Sequence, residues 1–137
     1  MVNNTVAYNS SPQGPELWGG GFQAQAEVWN NIAVGFSGDT PIYCDATYSR
    51  TPPILVSNDS FGPGASGFGG TCAGAGGTNG NTSVDPLFVS AHNYHLQSGS
   101  PSIDAGDDGA PDLPSNDIDG DPRIVGNAID QGFDEVT

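Results

Sequence analysis

The sequence predicts an all-β protein: a parallel solenoid of three to four coils with a C-terminal cap, in one domain over residues 1–137. Three observations carry this. Among 137 residues there are 21 Gly and 11 Pro, with many Asn, Ser and Thr, which argues against long helices and for short strands joined by turns. Four segments align: Val2-Asn3-Asn4-Thr5-Val6, Trp29-Asn30-Asn31-Ile32-Ala33, Ser57-Asn58-Asp59-Ser60-Phe61 and, less closely, Val84-Asp85-Pro86-Leu87-Phe88. Their Asn3, Asn30, Asn58 and Asp85 are spaced by 27, 28 and 27 residues. Cys44 and Cys72 are 28 residues apart, one further period.

Each observation has a physical consequence. A period of this size, with β-branched and aromatic residues beside Asn-Asn, suits one coil of a stacked parallel solenoid. Asn side chains repeated at one corner can hydrogen-bond from coil to coil and satisfy the polar groups of the turns. Equivalent positions on successive coils lie about 4.8 Å apart, within the Cα separation that a disulfide requires. The repeat therefore predicts a Cys44–Cys72 bridge that clamps two adjacent coils.

Taken in order, residues 1–84 read as the repeated coils and 85–137 as the last coil and its cap. Residues 10–21, ending in Trp18-Gly19-Gly20-Gly21, form a loop that displays Trp18. Residues 61–80 are Gly-rich, with Gly-Pro-Gly and Gly-Gly steps, and read as a loop leading through Cys72. The window around Asp85 to Gln97 gives short apolar pairs between turns. From Asp104 onward lie ten of the sixteen acidic residues. No amphipathic helical window occurs anywhere.

Charge narrows the function. The chain carries sixteen acids against two arginines, Arg50 and Arg123, and no lysine, for a net charge of −14. Nucleic acid is excluded as a partner, because phosphate binding needs clustered Lys and Arg. An anionic membrane surface is disfavoured for the same reason, and no apolar run is long enough to span a bilayer. The balance suits a cation binder or a soluble exported protein. An even cysteine count in a lysine-free, Asn/Thr/Gly-rich chain points to an extracellular or cell-surface setting with one disulfide, since zinc would need two further ligands. Strand-like sequence follows Met1 directly and no signal peptide precedes it, so the chain reads as a fragment entering a fold midway.

Several segments carry a resemblance. Ile42-Tyr43-Cys44-Asp45, Ser57-Asn58-Asp59-Ser60-Phe61, Gly70-Thr71-Cys72 and Gly80-Asn81-Thr82-Ser83-Val84-Asp85-Pro86-Leu87-Phe88-Val89 resemble the right-handed parallel β-helix, pectate-lyase-like superfamily. Tyr94-His95-Leu96-Gln97-Ser98-Gly99-Ser100-Pro101, Ile103-Asp104-Ala105-Gly106, Asp117-Ile118-Asp119-Gly120-Asp121-Pro122-Arg123 and Ile129-Asp130-Gln131-Gly132 are similar to the C-terminal region of bacterial choice-of-anchor type Q surface proteins. The resemblance covers nearly the whole chain. It implies a right-handed β-helix in an extracellular setting and no particular reaction, although others in the superfamily act on polysaccharides. The ending Gly132-Phe133-Asp134-Glu135 departs mildly from that family's Gly-Ala-aromatic-Glu.

The acidic segment is the strongest candidate site. Asp117, Asp119 and Asp121 alternate after Asp104, Asp107, Asp108 and Asp112. Ca²⁺ takes six to eight oxygens, and carboxylates two apart in a turn can converge on one ion. The metal reading assigns Asp104, Asp117, Asp119 and Asp121 as ligands and Ca²⁺ as the cofactor. The EF-hand pattern fails, because Gly120 falls fourth rather than sixth and Ala128 stands twelfth. A second reading stays open: the acids build turns, and Arg123 forms a structural ion pair with Asp104 or Asp119.

Catalysis is the weaker expectation. Lyases of this fold combine acidic Ca²⁺ ligands with a Lys or Arg base, and neither arginine lies in such a motif. Sixteen acids could place two carboxylates at glycosidase spacing by chance, so that signal is unspecific. His92 and His95 are three apart, in a strand and turn, and give little for a metal role. Sugar contact is the better alternative, through Trp18, Tyr43 and Tyr48 stacking on a polysaccharide, with Trp29 as readily a core residue. An uncapped first coil would leave strand edges and an apolar cross-section open, which predicts self-association through that end.

Overall fold

The computed structural model describes residues 1–10, 15–20, 25–47 and 51–137. Those residues contain ten short strands and no helix: β1 (Thr5–Ala7), β2 (Leu17–Gly20), β3 (Glu27–Trp29), β4 (Ile32–Val34), β5 (Ile42–Asp45), β6 (Ile54–Val56), β7 (Asp59–Phe61), β8 (Phe68–Gly70), β9 (Phe88–Ser90) and β10 (Asn93–Leu96). The first eight build three parallel sheets, ordered β1-β4-β7, β2-β5-β8 and β3-β6. The chain visits these sheets in rotation, so sequence neighbours are never sheet neighbours. Val2 extends the third sheet through a parallel bridge to Trp29, and Thr82 extends the first through a bridge to Asp59. Among the described strands, β9 and β10 alone pair antiparallel, as a hairpin, and an isolated antiparallel bridge joins Asn116 to Pro122.

The register follows the sequence period on two of the faces. Thr5 faces Ile32, and Ile32 faces Asp59. Glu27 faces Ile54 in the third sheet. The second sheet is tighter: Leu17 faces Ile42, which faces Phe68. Alternation divides the strand residues between two apolar clusters, because successive side chains point to opposite faces. Ala33, Ile42, Leu55, Phe68 and both cysteines fill the space between the sheets, with Leu17 and Val28 beside them. Ile32 and Val34 point the other way, and Leu96, Phe88, Ile103 and Val136 of the C-terminal half cover them.

One corner is organised by a ladder of asparagines. Asn31 Oδ1 accepts the backbone N–H and the side-chain Nδ2–H of Asn4, at 3.0 and 3.1 Å. Asn58 Oδ1 does the same for Asn31, at 3.0 and 2.9 Å, and Asn81 Oδ1 for Asn58, at 3.0 Å each. Each Nδ2 also donates to a carbonyl just upstream, Val2, Trp29, Val56 and Thr78 in turn. The residue before each rung bends the chain through a left-handed conformation: Asn3, Asn30 and Ser57 at φ of 51°, 56° and 50°, and Gly80 at 73°. Asn and Gly tolerate that region far better than other residues, so the Asn-Asn dipeptide supplies a bend and a rung together. The fourth rung is Asn81, 23 residues after Asn58, rather than a position at Asp85. A shortened connection ends the constant period there.

The disulfide joins Cys44 and Cys72 with their Cα atoms 5.4 Å apart. Its geometry differs from simple stacking, because the register partner of Cys44 is Gly70. A Cβ on Gly70 would lie 2.0 Å from the Cys44 carbonyl oxygen, and its φ is +61°. The chain therefore turns at Gly70, where only glycine fits, and brings Cys72 back over Cys44 two residues later.

The C-terminal half lies along the side of the stack. Asn3 Nδ2, on the first repeat, donates to the Asp130 and Gly132 carbonyls. Asn30, on the second, exchanges hydrogen bonds with Asp107 and accepts Gly132 N–H at its carbonyl. Ser57, on the third, receives Gln131 Nε2 at 2.9 Å. One segment thus straps three successive repeats. This segment packs laterally because Ile32 and Val34 leave an apolar face on the outside of the first sheet, and burying that face is favourable.

Candidate functional site

In the strap, most carboxylates are occupied as acceptors for backbone N–H groups. Asp104 Oδ1 accepts Asn127 and Ala128 N–H at 2.8 and 3.1 Å. Asp117 accepts Asp119 and Asp121 N–H on Oδ1, at 2.9 Å each, and Glu135 N–H on Oδ2 at 3.2 Å. Asp130 holds Asp104 and Val136 N–H, and Glu135 holds Val125 and Asp130 N–H. Hydrogen bonds to the charged form favour it. The Ala128 and Asn127 donors hold the Asp104 carboxyl below its ordinary range. Burial pushes Asp117 up, but the N–H groups of Asp121, Glu135, Asp119 and Gly120 together outweigh it and leave Asp117 lowered. Deeper in, burial prevails and raises Asp130 and Glu135.

Arg123 sits beneath this network, 3% exposed. Its guanidinium donates to the carbonyls of Phe133, at 2.6 Å, and of Gly132. Burial lowers its pKa, and the nearby charges of Glu135, Asp117, Asp130 and Asp134 oppose that shift. The expected Arg123–Asp104 ion pair is replaced by this arrangement. Asp104 is turned toward the backbone at 126–128, where a Cβ on Gly126 would lie 2.7 Å from its Oδ1, while Arg123 ties down two carbonyls of the strap.

The four expected metal ligands are not gathered into one site. Among the described residues, the one group of three or more His, Cys, Asp or Glu whose ligand atoms lie within 4.8 Å of one another is His95, Asp119 and Asp134. His95 Nε2 is 3.0 Å from Asp119 Oδ2 and 3.9 Å from Asp134 Oδ1. Three separate elements meet there: β10, the 117–121 loop and the strap. Asp134 is 6% exposed, and its Oδ2 accepts Leu96 N–H at 2.8 Å. The His95 ring stands edge-on to Phe133, with centroids 5.5 Å apart. Sequence reading gave His95 little for a metal role and did not single out Asp134, because the two are 39 residues apart; the signal available was a histidine at a strand end beside an apolar residue.

The expected sugar contacts divide. Trp18 and Tyr43 are register partners on β2 and β5, and their rings lie 5.3 Å apart at 45°. Trp18 is 56% exposed. Tyr43 lies over Gly69 and Gly70, whose missing side chains make room for its ring. Tyr48 lies outside the described residues. Trp29 is half-buried in the third sheet, with its Nε1–H unpartnered. Leu17, Val28, Ile42, Cys44, Leu55 and Met1 contribute to the lining of an apolar cavity of about 370 Å³ beside Trp18.

No known family, curated protein or solved structure matches the chain. The disulfide fits an extracellular protein, and among the described residues no helix is long and apolar enough to cross a membrane.

Proposed function

We propose that this chain is a non-catalytic, right-handed parallel β-helix module of a secreted or cell-surface bacterial protein, of the kind its C-terminal motifs resemble. The observation that carries the reading is the rotation of the chain through three parallel sheets with an asparagine ladder at one corner. Its acids support a structural role, since Asp104, Asp117, Asp130 and Glu135 are engaged by backbone donors. Two copies associate in this proposal through the apolar cavity beside Leu17 and Trp18. Calcium, at the acids of the 117–121 loop, is an added stabiliser in this proposal. Light scattering across a concentration series tests the association, and a mass that stays monomeric throughout rejects it. Melting with Ca²⁺ and with EDTA tests the ion, and coincident midpoints reject it.

A polysaccharide-binding surface is the second reading, favoured by the exposed Trp18 packed at a tilt against Tyr43 along one sheet face. Aromatic rings in such a row offer apolar faces to sugar rings. Affinity electrophoresis against a polysaccharide panel, with Trp18→Ala as the comparison, tests it. Unretarded migration of the wild type on every polymer removes this reading.

A further inference from the structure

The geometry points to a divalent transition-metal site at His95, Asp119 and Asp134, taking a borderline cation of the zinc class. The inference shares Asp119 with the calcium proposal but differs from it, because its ligand set contains an imidazole nitrogen and needs neither Asp104 nor Asp117.

The tautomer of His95 comes first. Asn93 Oδ1 accepts the His95 backbone N–H at 3.2 Å, which identifies that amide atom as the oxygen. The same oxygen contacts His95 Nδ1, so Nδ1 carries a proton and donates it. In the neutral ring, Nε2 then presents its lone pair. That lone pair faces two carboxylate oxygens, Asp119 Oδ2 at 3.0 Å and Asp134 Oδ1 at 3.9 Å. Three electron-rich atoms converge on one point, an arrangement that a shared cation stabilises. An imidazole with its second nitrogen fixed by an outer acceptor is the usual preparation of a metal ligand.

Asp134 supplies the independent observation. It is 6% exposed, and its Oδ2 is held by Leu96 N–H. Its Oδ1 lies 3.9 Å from His95 Nε2, on a side chain only 9% exposed. A carboxylate with so little water around it is stabilised by a cation at that oxygen. The acid is locked in place by Leu96 with its other oxygen directed into the cluster.

Dimensions and accessibility agree. Ligand atoms about 2.0–2.1 Å from a tetrahedral zinc stand roughly 3.3–3.4 Å apart. The two measured separations, 3.0 and 3.9 Å, straddle that value. One nitrogen with two carboxylate oxygens suits zinc and its first-row neighbours, whereas calcium prefers oxygen alone. The His95 and Asp119 side chains are 37% and 59% exposed, which leaves an entry path and a coordination position for water. Bound metal would tie β10, the 117–121 loop and the strap together.

The test is calorimetric titration of the chelator-stripped full chain with Zn²⁺, repeated with Ca²⁺, with Co²⁺ absorption reporting coordination. Wild type binds one Zn²⁺, and Co²⁺ gives the visible bands of a nitrogen- and oxygen-ligated ion. His95→Ala abolishes both signals, Asp119→Asn weakens Zn²⁺ binding at least about tenfold, and Asn93→Ala weakens it about 10–100-fold through the outer contact. His92→Ala binds like wild type. Asp119 is exposed, so Asp119→Asn keeps the fold, checked by an unchanged melt in EDTA. Zn²⁺ binding that survives His95→Ala overturns the assignment, as does a chain that takes up Ca²⁺ but not Zn²⁺. Absence of Zn²⁺ uptake, with ¹⁵N shifts showing His95 as an imidazolium, also overturns it: a proton alone then fills the cluster.

Discussion

Replacing Asn58 with alanine removes the central rung of the ladder, and the structure sets the size of the effect. Asn58 is fully buried. Its Oδ1 accepts the Asn31 backbone N–H and Nδ2–H, and its own Nδ2 donates to the carbonyls of Val28 and Val56 and to Asn81 Oδ1. After truncation the Asn31 N–H has no acceptor inside the stack, and an orphaned buried group costs about 1–3 kcal/mol. The Val28 and Val56 carbonyls and the Asn31 amide lose partners at roughly 0.5–1.5 kcal/mol each. A loss of about 3–5 kcal/mol is expected, a large part of the ~5–15 kcal/mol typical of a domain. Asn4→Ala is the control. In the ladder the Asn4 side chain only donates, so its truncation leaves no buried N–H stranded; about 1 kcal/mol is expected. Urea denaturation followed by circular dichroism measures both, with slopes near 1–3 kcal/mol per molar. Equal midpoint shifts for the two variants would refute the claim that buried, two-sided rungs hold this corner.

Other outcomes follow from single residues. Burial raises the Asp59 carboxyl to about 6, above its unfolded value near 3.9. The folded state therefore holds this proton more tightly, and the associated stability is full below about pH 4 and is lost as pH rises through about 6. Asp59→Asn flattens that decline between pH 4 and 7 in pH-resolved urea melts, and parallel curves for variant and wild type contradict the assignment. Gly132→Ala places a Cβ 2.7 Å from Thr5 Oγ1 and 2.9 Å from Ile32 Cδ1, at a φ of +88°. It should destabilise by about 2 kcal/mol or more and expose the strap's amides to hydrogen exchange, whereas Gly120→Ala, with open space around it, shows only the backbone penalty. Removing the disulfide through paired Cys44→Ala and Cys72→Ala changes should lower stability by roughly 3–4 kcal/mol for a loop of this size, and an unaltered midpoint would speak against its clamping role.

Local chemistry made much of the architecture readable before any coordinates. Asn3-Asn4 and Asn30-Asn31 announce a bend and a rung because asparagine combines tolerance of left-handed backbone with a side chain that both donates and accepts. Asp85 was expected as the fourth rung, and Asn81 takes it, since the Gly-rich connection after β8 is shorter than a full period. Arg123 was expected on a carboxylate. It serves carbonyls instead, and the acids around it are engaged by backbone N–H groups. The alternating acids at 117–121 suggested a common ligand set, yet Asp117 is taken up by the N–H groups of Asp119 and Asp121, and Asp119 meets His95 instead.

Composition, period and cysteine spacing by themselves determined an all-β chain of parallel strands, its Asn-lined corner and the Cys44–Cys72 bridge. Each of these depends on a repeat that brings like residues into register, and a repeat is written along one dimension. Only the tertiary structure decided that the C-terminal half straps the side of the stack, and that His95 meets Asp119 and Asp134. Those contacts join segments without common periodicity. They arise because the outward-facing Ile32 and Val34 need covering, and the segment that covers them carries its acids to wherever the apolar surface requires it.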